Sequence, residues 1–172
     1  TASGRPPYDY SYYRCPFRAA MLWNALQATG LRGIRGVWCH EAGYSRALTV
    51  VSMQPAYKGH AVQTGFVASQ LPEGAFGGKY VVVVDDDIDV FNLSDVMWAV
   101  ITRTHADRDI TFIHGAMGAI LDPTSDPENH TVTKVGIDAT KPGGRDFAER
   151  LTITDEQRAR VRGILERAGI RL

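Results

Sequence analysis

Val81–Val84 form an unbroken apolar run, too short for a helix and of the length expected for a strand buried on both faces in the middle of a parallel sheet. The run passes directly into Asp85, Asp86 and Asp87, then Asp89. This delivers four carboxylates to the carboxyl edge of the predicted sheet, the edge at which open α/β folds commonly hold ligands. Downstream, Leu93, Val96, Met97, Val100 and Ile101 recur at helical spacing, with Ser94 available as a cap. Strand, acidic turn and helix therefore form one unit, with the helix stripe laid back on the sheet.

Other periodicities fill in the architecture. Pro16 suits the first position of a helix running through Phe17, Ala20, Met21, Trp23 and Leu26 to Gly30. Residues 34–39 and 47–53 read as an antiparallel strand pair around a turn at Glu41, Ala42 and Gly43. Residues 59–71 read as a helix, and 72–78, with three glycines, as a loop leading into the central strand. Residues 110–113 and 119–121 are short strand candidates, 122–130 is a polar loop, and the excursion from Leu121 to Thr154 shows little regular structure. Thr154 and Gln157 have capping-box spacing, Val161, Ile164, Leu165 and Ala168 give the final helix its stripe, and Gly169 closes it.

The alternation predicts an α/β fold: a mixed sheet with flanking helices and a C-terminal helix, in a single domain. Residues 1–15, rich in Gly, Pro and Tyr, form an arm or former linker, 16–145 the α/β domain, and 146–172 a helical tail.

Composition narrows the partners. Lys plus Arg equals Asp plus Glu at 19 each, so no basic field draws a nucleic acid or an anionic membrane. No run approaches the ~20 apolar residues of a membrane span. Two cysteines, Cys15 and Cys39, fall short of a disulfide framework and fit a reducing, cytoplasmic setting. The first residue is Thr1, which suggests a processed or trimmed piece of a longer chain.

The acidic run raises one chemical possibility. An apolar strand followed by Asp-x-Asp is the arrangement of a Mg²⁺-dependent phosphatase, the first Asp being nucleophile and the second acid/base; Asp85 and Asp87, or Asp87 and Asp89, have that spacing. The competing structural reading has the aspartates capping the turn or pairing with Arg103 and Arg108. Cys39 and His40 are adjacent on a predicted strand and point to opposite faces, so with His60 they do not form a metal site. The glycines of 74–78 match no phosphate-binding pattern, and Trp23, Trp38 and Trp98 read as core or interface residues. No set of residues makes a self-sufficient catalytic site.

The stretch KYVVVVDDDIDVFNLSDVMWAVITR, followed by ADRDI and ILDP, resembles the C-terminal domain of the UbiD-like carboxy-lyases. GIRGVWC, YKGHAVQTG and KVGIDATKPGG extend the resemblance over most of residues 16–145. It implies a reversible, non-oxidative decarboxylation of aromatic or α,β-unsaturated acids that depends on prenylated FMN. It also implies that the flavin, a divalent metal (Mn or Mg), potassium and the catalytic residues all belong to a preceding flavin-binding domain. None of these groups is then expected on this chain, which would be inactive alone and would serve as oligomerisation module, in a homodimer or higher oligomer, and as active-site lid. By position, Phe76, Gly77 and Leu121 are the implied substrate-pocket residues. The resemblance departs at Val62, where many relatives carry Lys after Gly-His-Ala; Lys58 is a nearby substitute. It names neither the acid nor the oligomer size.

Overall fold

The computed structural model describes residues 9–143, 147 and 153–170. Its five strands, β1 (Ile34–Cys39), β2 (Leu48–Met53), β3 (Tyr80–Asp85), β4 (Ile110–Met117) and β5 (Thr131–Ala139), make one mixed sheet in the order β1-β2-β3-β5-β4. The β1–β2 and β4–β5 pairs are antiparallel, and β2–β3 and β3–β5 are parallel. Parallel neighbours need crossovers. The helix α2 (His60–Gln70) lies between β2 and β3, and α4 (Leu93–Arg103) between β3 and β4.

The valine run occupies the centre, as its composition requires. Val81 and Val83 pack into a cluster with Leu22 and Leu26 of α1 (Asp9–Ala28) and with Ala61 and Ala68 of α2. Val82 and Val84 face the other layer, with Ile88, Val90, Val96, Ala99 and Ala139. A strand covered on both faces has no solvent side, and each fully buried valine contributes about 1.5–3 kcal/mol.

Four expectations need correction. Helix α1 starts at Asp9, with Pro16 inside it, so residues 9–15 are not an extended arm. Cys15, Ala19, Leu22 and Leu26 are all buried on one helical face, and that stripe begins before the proline. The supposed irregular excursion contains β5, a nine-residue strand. Its alternation of β-branched residues is interrupted by Lys134 at an inward position, which obscures the pattern. Residues 119–121 are not a strand; they form a turn beyond the end of β4, where the Asp122 N–H donates to the Ala119 carbonyl at 2.8 Å. Finally, Asn92 rather than Ser94 caps α4, its side chain accepting from the Ser94 N–H at 3.0 Å. The buried face of α4 is Val96, Ala99 and Arg103, while Met97 and Ile101 point to solvent.

Two smaller features complete the frame. The segment after α2 contains a short helical turn, α3 (Pro72–Ala75). The last helix, α5 (Asp155–Arg167), has the expected capping box at Thr154 and Gln157, but none of its residues is buried. Thr154→Ala is accordingly expected to lower local helix stability by about 1 kcal/mol, seen as faster amide exchange in α5, with the thermal midpoint of the body unmoved. Among the described residues no helix is long and apolar enough to cross a membrane.

Candidate functional site

The carboxyl edge of the sheet is occupied by its own salt bridges. Arg103, buried on α4, donates to Asp85 at 2.8 Å and to both oxygens of Asp87 at 2.9 Å. Lys141 adds its ammonium to Asp87 at 2.9 Å and its backbone N–H to Asp85 at 2.6 Å. The Arg103 hydrogen bonds hold the Asp87 carboxyl down to about 2, whereas burial raises that of Asp85. Asp86 accepts from Gln54 Nε2, and Asp89 from the Phe91 N–H. Arg108 does not join the group; it lies 3.7 Å from Asp107. Asp85 Oδ2 is taken by both the buried guanidinium and the Lys141 N–H, and Asp87, engaged on both oxygens and held low, is poorly placed to carry a proton as an acid/base, so the geometry favours the structural reading of Asp85 and Asp87 and gives the phosphatase alternative no support.

The folded pKa of Asp87 lies below its ordinary value of 3.8, so its ion pairs stabilise the fold at pH above that value and are lost as pH falls toward 2. The thermal midpoint is expected to drop across that window, and Asp87→Asn to flatten the drop.

Cys39, His40 and His60 are not brought together as ligands. Cys39 Sγ contacts Thr49 Oγ1 at 3.9 Å, His40 Nδ1 accepts from the Ala42 N–H, and His60 Nδ1 accepts from the Ala56 N–H. Among the described residues no group of three His, Cys, Asp or Glu could hold a metal ion.

The residues singled out for a substrate pocket lie toward the opposite, amino edge of β3, where Phe76 and Gly77 line one hollow and Leu121 does not line it. Phe76 and Gly77 immediately precede β3, and Leu121 follows β4, whose last residue pairs with the first of β5 at that same edge. Phe76 and Gly77 share a hollow with Tyr44, Arg46, Ala119 and Asp122. Phe76 is 52% exposed and Leu121 46%, so Leu121 is not an ordinary core leucine. Gly77 is needed for fit, because a Cβ there would sit 2.8 Å from the Arg46 carbonyl. Val62, on α2, is partly exposed and lines a separate hollow with Asp109, Thr111 and Ile113, while Lys58 lies exposed before that helix.

Two residues that sequence reasoning missed tie the loops together. The Lys79 ammonium, just after Gly78, lies 2.9 Å from one oxygen of Asp122 and 3.1 Å from the other, and it also donates to the Thr124 hydroxyl. Burial by itself would raise the Asp122 carboxyl, but the Thr124 N–H and hydroxyl and the Lys79 ammonium outweigh it and leave the pKa lowered. The pair joins positions 43 apart in sequence, and only the strand order reveals it. Lys79→Met strands a buried carboxylate and is expected to cost about 1–3 kcal/mol in a denaturant melt.

Comparison with known proteins fits this arrangement. The family profile of the 3-octaprenyl-4-hydroxybenzoate carboxy-lyase C-terminal domain matches residues 11–139. The phenolic acid decarboxylase of Sedimentibacter hydroxybenzoicus is 40% identical over 141 residues, 81% of this chain and 28% of that protein. The UbiD-class enzyme HmfF from Pelotomaculum thermopropionicum, solved in complex with FMN, superposes with a TM-score of 0.71 at 33% identity, over 79% of this chain and 30% of that one. The vanillic acid decarboxylase of S. hydroxybenzoicus superposes at 28% identity, with TM-scores of 0.75 for its closed form and 0.74 for its open form. Those matches cover 91% and 94% of this chain but only 33% and 35% of the other. The chain thus spans about a third of its relatives at most, and with three quarters of its length inside one family profile, it belongs to the UbiD carboxy-lyase C-terminal domain family.

Proposed function

We propose that the chain is the oligomerisation and lid domain of a non-oxidative decarboxylase of aromatic or α,β-unsaturated acids, and that it is inactive without a flavin-binding domain. The observation that carries this reading is the amino edge, where Phe76 and Leu121 stand exposed on loops fixed to one another by Lys79 and Asp122. Apolar groups on a rigid rim are suited to covering a bound acid and excluding water from it. That a related vanillic acid decarboxylase exists in open and closed forms supports a moving lid.

Prenylated FMN, when bound, supplies the electron sink for loss of CO₂. The family resemblance is what assigns the flavin, a divalent metal (Mn or Mg) and potassium to the flavin-binding domain. What this chain contributes is a wall: Phe76 and Leu121 supply apolar surface, and Gly77 lets the loop approach Arg46. The exposed Met97 and Ile101 of α4 and the unburied stripe of α5, with Val161 and Ile164, are surfaces for the flavin-binding domain and for a second subunit.

The chain alone is expected to release no CO₂ from phenolic acids and, with Mg²⁺, to turn over no phosphoester. Phosphoester hydrolysis abolished by Asp85→Asn would overturn the reading in favour of the phosphatase.

A further inference from the structure

Lys134 occupies an inward position of β5, on the α2–α3 side of the sheet, where the strand pattern calls for an apolar side chain. The residue is 1% exposed. Its ammonium donates to the Ser69 carbonyl at 2.6 Å and to the Gly74 carbonyl at 3.3 Å. Ser69 lies in the last turn of α2, where carbonyls run out of intrahelical donors, and Gly74 lies in the short turn α3.

The Gly74 carbonyl also accepts from the Phe76 N–H and from the Gly77 N–H, the latter at 3.0 Å, which closes the turn carrying Phe76. One oxygen is therefore shared between the buried ammonium and the pocket loop. The loop is then pinned by the Gly78 N–H on the Arg46 carbonyl at 2.5 Å and by Lys79 on Asp122. Side-chain freedom at Gly74 is closed off as well, since a Cβ there would run into the Ala68 carbonyl.

We infer that Lys134 is a positioning residue of the substrate wall: its ammonium fixes the Gly74 carbonyl and, through it, the turn that sets Phe76 and Gly77. This inference rests on the reading of Phe76 as part of that wall. Lys134 does not touch the acid.

The placement comes at a cost to the fold. Burial pushes the Lys134 amine down to about 8 from its usual 10.5. Between those values the unfolded chain binds the proton more readily than the folded one, so this group alone makes the fold more stable as pH rises through that window. At neutral pH the ionised amine is held inside against its own solvation, and a methionine would fill the space without that penalty. What methionine lacks is donors for the two carbonyls.

The test uses the intact decarboxylase that contains this chain, with Lys134→Met, Lys134→Arg and Phe76→Ala compared by kcat, KM and amide hydrogen exchange at residues 76–78. Lys134→Met is expected to speed exchange at the Gly77 and Gly78 amides by at least about tenfold. It is also expected to raise KM for the acid more than it lowers kcat, with Lys134→Arg restoring part of both. Unchanged exchange in a folded Lys134→Met overturns the proposal, as does faster exchange with unchanged kinetics in an enzyme that Phe76→Ala impairs. Faster exchange with neither variant changing the kinetics leaves the clamp standing and refutes the wall reading of Phe76. Should Lys134→Met not fold, Lys134→Gln keeps a neutral donor and is read by the same exchange and kinetic criteria.

Discussion

Arg103→Met is expected to lower the unfolding free energy by about 3–5 kcal/mol, the largest single effect on stability predicted here. The Arg103 side chain is 1% exposed and satisfies three carboxylate oxygens on the strand end and turn, two of them on Asp87. Its guanidinium also lies over two rings, 5.1 Å from the centroid of Trp98 and 5.3 Å from that of Phe147. Methionine keeps the apolar stem but leaves Asp85 and Asp87 facing one another with, among the described residues, Lys141 to offset them. Burial already raises the Asp85 carboxyl with the guanidinium present, so without it that group is expected to protonate nearer neutrality. A denaturant melt at pH 7 measures the loss. Replacing the carboxylates as well, with Asp85→Leu and Asp87→Leu, should recover much of it, because an unpaired charge costs more than a missing ion pair. A single variant within about 1 kcal/mol of the parent contradicts the claim that this triad holds β3 to α4.

Combining Phe76→Ala with Leu121→Ala is the substitution expected to affect catalysis most. In the intact enzyme it should lower kcat/KM by about 10- to 100-fold, since each truncation removes apolar surface and lets water reach the acid. Both side chains are about half exposed in this chain, so neither supports the core and the thermal midpoint should stay within a few degrees. The split between the constants carries information. A loss confined to KM means the wall binds acid and transition state alike, and a fall in kcat means it acts only once the lid has closed.

Much of the fold was legible in local patterns. The valine run announced the central strand, and the Thr154–Gln157 spacing announced the start of α5. Where the reading went astray, tertiary contacts had overridden local signals. Pro16 looked like a helix start, but the burial of Cys15 extends α1 beyond it. Lys134 hid β5 because its partners, the Ser69 and Gly74 carbonyls, lie some 60 positions away. The α4 stripe came out rotated, since a buried Arg103 counts as polar in a pattern although it faces the core. For the acidic run the structural reading was correct about Arg103, one helix downstream, but not about Arg108, which lies against Asp107. Phe76, Gly77 and Leu121 came from resemblance rather than periodicity, and nothing local indicated that Lys79 and Asp122 would join their loops.

The central claim is that the working edge of this domain is the amino edge of β3 and not the acidic edge that draws the eye. It is tested most directly by kcat/KM for CO₂ release from the intact enzyme, comparing the Phe76→Ala, Leu121→Ala pair with Asp86→Asn. Asp86 stands on the acidic edge, and its side chain is held by Gln54 alone among the hydrogen bonds described, so it can be changed without breaking the Arg103 triad. The account predicts at least about a tenfold loss for the pair and less than twofold for Asp86→Asn. An unchanged rate in the pair, with a marked loss in Asp86→Asn, would contradict it.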